Sequence, residues 1–190
     1  HRLPFPNAVV DKVDEYDTLT QVHRVRTNTY HEAFYDGVEK QFRGYEQLEL
    51  ELLSDMSRDA QEPGLRSEDY DVGKTDPALA GTKLRSRVYA GMGANLALLT
   101  DTAYLFQSCP VADVGTTTPA ISFVCRRAVT TTQVERDVAN AVTTRVEYDY
   151  DGYGNVVQER ELGVVHFGTT QQPRGCDACS ACLSPRASRA

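Results

Sequence analysis

Three absences narrow what this chain of 190 residues can do. It has no surplus of positive charge: 20 Lys and Arg stand against 27 Asp and Glu, a net charge of −7. Nucleic acids and anionic membrane surfaces both select clustered Lys and Arg, so neither is an expected partner. It has no apolar run near the roughly 20 residues of a membrane span, so direct membrane insertion is not expected. No secretory leader is visible at its start, since HRLPFPNAVV lacks a charged-then-apolar segment with a cleavage site. The first residue is not Met, and the chain reads as a fragment of a longer protein.

Cysteine is scarce as well. Cys109 and Cys125 bracket a loop, while Cys176, Cys179 and Cys182 crowd the last residues. Five thiols distributed this way do not describe a disulfide framework, and they leave the redox compartment undetermined. Cys109 and Cys125 can close a loop of about 15 residues, a bond worth roughly 3 kcal/mol by loss of chain entropy. Two buried free thiols fit the spacing equally well.

What the chain does have is strand patterning. Hydrophobic residues at 41% and charged residues at 25% are ordinary for a globular protein, and the length is enough to bury a core. Leu3-Pro4-Phe5-Pro6 is extended by its prolines. Residues 8–13 read as a short strand, and 21–34, rich in Thr, Val, Tyr and His, as a longer one. Asp36-Gly37 marks a turn. Val38, Phe42, Leu48, Leu50 and Leu52 then share one face of a strand, with a bulge near Gly44. Residues 54–81, acidic with prolines and glycines, read as a long surface loop. Strand patterning resumes at 82–89, where Leu84 and Val88 oppose Lys83, Arg85 and Arg87. Gly91-Met92-Gly93 turns the chain into a second strand at 96–106. A loop over 110–119 and an apolar run at 121–124 follow.

The cleanest segment is 142–150. Val142, Thr144, Val146, Tyr148 and Tyr150 alternate with Thr143, Arg145, Glu147 and Asp149, a strict period of two. Asp151-Gly152-Tyr153-Gly154-Asn155 supplies a turn, and 156–162 returns as the partner strand. Beyond Gly168 periodicity is lost, and the tail over 171–190 is expected to be poorly ordered.

That hairpin, RVEYDYDGYGNVVQER at 145–160, resembles the YD repeat of Rhs proteins. The matching residues are Tyr148, Tyr150, Asp151, Gly154, Asn155 and Val156. The tyrosines offer large side chains for pairing between hairpins, Asp151 can bond to turn amides, and Gly154 or Asn155 can adopt positive φ. Upstream, LPFPNAVV (3–10), YHEAFYDGVEKQFRGY (30–45) and GTKLRSRVY (81–89) are similar to the middle region of the B component of insecticidal toxin complexes. The blocks occur in that family's order over residues 3–165.

The resemblance implies an all-β fold of antiparallel hairpins forming part of a larger Rhs-type sheet or shell. It divides the chain into a middle region over 1–140, a YD-repeat hairpin over 141–165 and an irregular tail over 166–190. It implies a secreted bacterial toxin, a virulence factor whose shell closes with a C-component chain around a cytotoxic effector. Its upstream region docks on a pore-forming A component. The family's self-cleaving aspartate site has no counterpart here, so the segment is expected to be structural, without catalysis or cofactor. The rival from another class is a cell-surface Rhs-like module that recognises a glycan or receptor. The remaining rival is a hydrolase built around His31 and Glu32.

Other candidates for chemistry have plainer explanations. Cys176-x-x-Cys179-x-x-Cys182 has the spacing of metal and iron–sulfur ligands but lacks a fourth, His166 being the nearest histidine. An irregular tail accounts for it better. Glu68, Asp69, Asp71 and Asp76 depart from a calcium-loop spacing and read as a solvated loop. Asp149 and Asp151 resemble paired carboxylates but belong to the repeat. Gly91-x-Gly93 lacks the third glycine of a dinucleotide site. His31 among aromatic neighbours reads as packing.

Overall fold

The computed structural model describes residues 5–53, 63–91, 93–111, 121–135 and 140–167. Among these residues nine strands make one sheet in the order β1 to β9, each pairing antiparallel with the next. They are β1 (Lys12–Tyr16), β2 (His23–Asp36), β3 (Gln41–Leu53), β4 (Gly64–Tyr70), β5 (Lys83–Ala90), β6 (Ala97–Pro110), β7 (Ser122–Gln133), β8 (Val142–Tyr150) and β9 (Val156–Phe167). The all-β antiparallel expectation therefore holds. The sheet runs unbroken across residue 140 through the β7–β8 ladder.

Most strands form where β-branched and aromatic residues alternate with polar ones, and described turns join β2 to β3 and β8 to β9. At the β2–β3 turn, Asp36 Oδ1 accepts from the amides of Val38 and Glu39 at 2.9 and 3.1 Å. The bulge lies where Gly44 suggested it: Phe34 pairs with Gly44 and Tyr35 with Phe42, so Arg43 is the extra residue. Gly44 has φ +113°, a conformation an L side chain resists.

Four expectations need correction. The first strand is Lys12–Tyr16 rather than 8–13. The backbone of Val10 is diverted, because its carbonyl accepts from the side chains of Asn28 (2.8 Å) and Tyr30 (3.1 Å) instead of a ladder partner. Val38 belongs to the turn and is 93% exposed, so it does not share the face of Leu48 and Leu50. The long loop over 54–81 instead contains β4, paired on both sides, and a single 3-10 turn at Pro77–Leu79. Residues 54–62 lie outside the described residues. β4 (GLRSEDY) looks like a loop in sequence because its central residues are polar, yet Ser67 and Glu68 are buried. Finally, the apolar run at 121–124 is only the start of a strand of 12 residues.

The sheet has little interior. Among the described residues the buried apolar ones are Val25, Val72, Cys109, Cys125, Ala128 and Ala141, most of them small. Along β9, Val156, Val157, Leu162, Val164 and Val165 are exposed. Among the described residues no second layer of strands or helices packs on this sheet, and many of its side chains stay half-buried.

Candidate functional site: a cross-linked sheet face and a Tyr-Asp hairpin

Directly opposed residues of an antiparallel pair point to the same side, so the register assigns side chains to faces. One face carries a cross-link at every strand junction. His23 meets Asp14 between β1 and β2. His31 Nε2 lies 3.2 Å from Glu49 Oε2 between β2 and β3. The Gln47 amide donates to Ser67 Oγ at 3.2 Å between β3 and β4. Arg87 pairs with Asp69 at 2.7 Å between β4 and β5, and Arg85 with Asp101 between β5 and β6. A disulfide, Cys109–Cys125, ties β6 to β7. The Thr132 and Thr143 hydroxyls meet at 2.9 Å, and Arg127 reaches Asp149 at 3.3 Å, between β7 and β8. Arg160 of β9 takes both Glu147 (3.3 Å) and Asp149 (3.2 Å) of β8.

Each exposed ion pair contributes at most about 1 kcal/mol. Their joint effect is on register: a slip of one residue would turn every partner to the opposite face. The disulfide is the covalent member of the series, with Cα atoms 6.0 Å apart and Cys125 fully buried. It resolves the two readings of these cysteines in favour of the bond.

The opposite face is richer in aromatic and aliphatic side chains, among them Tyr30, Leu48, Val88, Tyr104, Val146 and Tyr148. The N-terminal segment lies across it. Phe5 packs edge-on against Tyr35 and Phe42, at centroid distances of 5.4 and 6.4 Å, and Asn7 reaches the Tyr45 hydroxyl.

The same face hides a carboxylate that patterning missed. Glu68 accepts from Lys83 Nζ and from the Tyr70 hydroxyl, each at 2.7 Å. Burial disfavours its charge, but the bonds from Lys83 and Tyr70 outweigh that and hold its pKa below the ordinary value. Tyr70 is pushed the other way, by burial and by donating to Glu68. The charge-alternating strings Arg145-x-Glu147-x-Asp149 and Arg85-x-Arg87 carry a sequence signal for the cross-linked face. Nothing comparable marks Glu68.

At the Tyr-Asp hairpin, β8 and β9 meet through Asp151. Its Oδ1 accepts from the backbone amides of Tyr153 (2.9 Å) and Asn155 (2.8 Å), and its Oδ2 from Asn155 Nδ2 (2.9 Å). The Asn155 side chain and then its amide lead in holding the Asp151 pKa below the usual carboxylate value. Gly154 takes φ +90°. Tyr148 and Tyr150 both reach β7: the Arg126 guanidinium stands 4.7 Å over the Tyr148 ring, and the Tyr150 hydroxyl donates to the Arg126 carbonyl at 3.1 Å. Tyr150 also meets Phe123 edge-on at 6.0 Å.

The other candidates do not converge. Asp69 is held by Arg87, Asp71 accepts from the Gly73 amide and Asp76 caps the 3-10 turn. Asp149 faces Arg127 and Arg160 while Asp151 serves the turn. Among the described residues no group of three or more His, Cys, Asp or Glu is placed to hold a metal. Cys176, Cys179 and Cys182 lie outside the described residues.

These features define a single-layer antiparallel β-sheet whose strands are stapled along one face. No family model and no curated protein matches the sequence. Solved structures do match the fold. A crystal structure of TcdB2-TccC3-Cdc42 superposes with a TM-score of 0.74 over 90% of this chain, at 17% identity. TcdB2-TccC3 without its hypervariable C-terminal region gives 0.68 over 97%, at 18% identity. The Tc holotoxin pore of Photorhabdus luminescens gives 0.62 over 72%, at 15% identity. The chain spans only 10%, 11% and 9% of those chains respectively.

Proposed function

We propose that this chain is a stretch of wall in an Rhs-type shell: a structural, non-catalytic part of a secreted bacterial toxin complex. The observation that carries the reading is the match of one nine-stranded sheet to TcdB2-TccC3-Cdc42 over 90% of this chain. A sheet with free edges and half-exposed faces is stable only beside further strands. On this reading the neighbours are other hairpins of the same shell and a C-component chain. The shell encloses an effector, and the region upstream docks on the pore-forming component. Residues 1–140 serve as the family's middle region, and Tyr148, Tyr150, Asp151, Gly154 and Asn155 as the structural residues of a YD repeat. The mechanism is confinement, since a closed wall excludes proteases and denies the cargo room to fold.

The geometry favours this over a recognition module. Tyr16 and Tyr153, 57% and 70% exposed, sit at opposite edges of the sheet rather than in one patch. His31, the focus of a hydrolase reading, reaches Glu49 in the cross-linked face. Sedimentation of residues 1–190 alone provides the test. Concentration-dependent oligomers are expected, whereas a monodisperse monomer that unfolds cooperatively would overturn the proposal.

A further inference from the structure

In the interior strands β2 to β8, every carboxylate has a partner. Asp36 has Arg43, Glu46 has Lys74, Glu49 has His31, Glu51 has Thr27, and Glu68, Asp69, Asp101, Glu147 and Asp149 each have a cation; Glu32 is engaged too. Among the described residues, the strand carboxylates without one, Glu15, Glu159 and Glu161, all belong to the outermost described strands β1 and β9.

On β9 the two lie on the aromatic face, Glu159 opposite Tyr148 and Glu161 opposite Val146. Neither neighbour on β8 can neutralise them. Arg160 stands between them in sequence but points to the other face, where Glu147 and Asp149 occupy it. Two residues apart on one strand, the carboxylates are about 7 Å from each other and repel. Among the described residues no strand pairs with the outer edge of β9. Among the described residues, neither the outer edge of β9 nor its two carboxylates has a partner.

We propose that the β9 edge accepts a further antiparallel strand bearing Lys or Arg on the aromatic face, beside Glu159 and Glu161. This deepens the wall reading and rests on it. The charged face is cross-linked at every existing junction; on the aromatic face Arg126 stands over Tyr148 at β7–β8, and Lys83 pairs with Glu68 at β4–β5. The β9 junction would repeat that arrangement, with main-chain bonds supplying affinity and the charge pattern supplying choice. Two copies joined β9 to β9 would set these carboxylates against each other, so self-association uses β1 or the aromatic face instead.

The test immobilises the 190-residue chain at low density, so that copies do not meet, and offers two synthetic peptides matching β9 in length. Both alternate β-branched and polar residues; one has Lys at two alternate positions, the other Glu. The Lys peptide should bind roughly fivefold tighter or better. The double variant Glu159→Lys/Glu161→Lys should reverse that order. Equal binding of the two peptides, or an order unchanged in the variant, overturns the charge selection and leaves the wall reading standing. Failure of both peptides to bind overturns both readings, because an edge that takes no strand is not a joining edge.

Discussion

Replacing Cys109 and Cys125 with Ser, singly and together, separates two ways of holding β6 against β7. The bond joins residues 16 apart in sequence, at diagonal positions of one ladder. Cross-linking a loop of that size removes chain entropy from the unfolded state worth about 3 kcal/mol. For a chain of this length, 1 kcal/mol moves Tm by about 2–4 °C, so the double variant should melt about 6–12 °C lower. Because the effect acts on the unfolded chain, the denaturant m-value should also rise as that chain expands. The single variants should match the double one, since either removes the whole bond. The native protein should resist a mild thiol reductant, because Cys125 is fully buried and exchange needs the end of the hairpin to open first. Scanning calorimetry and urea titration of the four proteins check this. A Tm change below a degree with an unaltered m-value would refute the reasoning, as would free thiols at Cys109 and Cys125 in the folded wild type.

Further expectations concern the turns and the buried carboxylate. In Gly91→Ala the new Cβ would meet the Asn95 carbonyl oxygen at 2.3 Å, at φ +85°, so chemical denaturation should show a loss of roughly 1–3 kcal/mol. Asp151→Ala removes the acceptor for two turn amides, and exchange at Tyr153 and Asn155 should speed up roughly tenfold while β5 is unchanged. Glu68 has a lowered folded pKa, so the stability it contributes is full above about pH 4.3 and is lost as pH falls through the folded value. Glu68→Gln should therefore be less stable than wild type at neutral pH, with the gap closing in acid, as a pH series of urea midpoints would show.

The parts of this fold legible in sequence are those where side-chain chemistry and backbone demand coincide. Residues 142–150 alternate without a fault, and β8 occupies those residues. Asp36-Gly37 and Gly44 marked a turn and a bulge because few other residues accept those geometries. β4 was illegible for the opposite reason. Its strand is set by two neighbours, and its buried Ser67 and Glu68 are made tolerable by groups distant in sequence: Gln47, Lys83 and, from the strand's own end, Tyr70. No local pattern announces such a strand, since polarity is what normally argues against burial. Val9-Val10 failed likewise, as a strong strand former whose carbonyl went to Asn28 and Tyr30.

The cross-linked face follows from the shortage of interior. A sandwich fixes strand register by burying one face of each sheet, so a slipped strand is expelled by the hydrophobic effect. Among the described residues the largest buried apolar side chains are valines, and that penalty is small. Register must then be written in pairwise terms, and it is: an ion pair, an amide, a hydroxyl pair or a disulfide at each junction. Such terms are local and repeatable, so they can lengthen a sheet strand by strand without a core that grows with it. On the proposal above, the same economy leaves the outermost described strand with charges to be matched across its edge, as Glu159 and Glu161 are on β9.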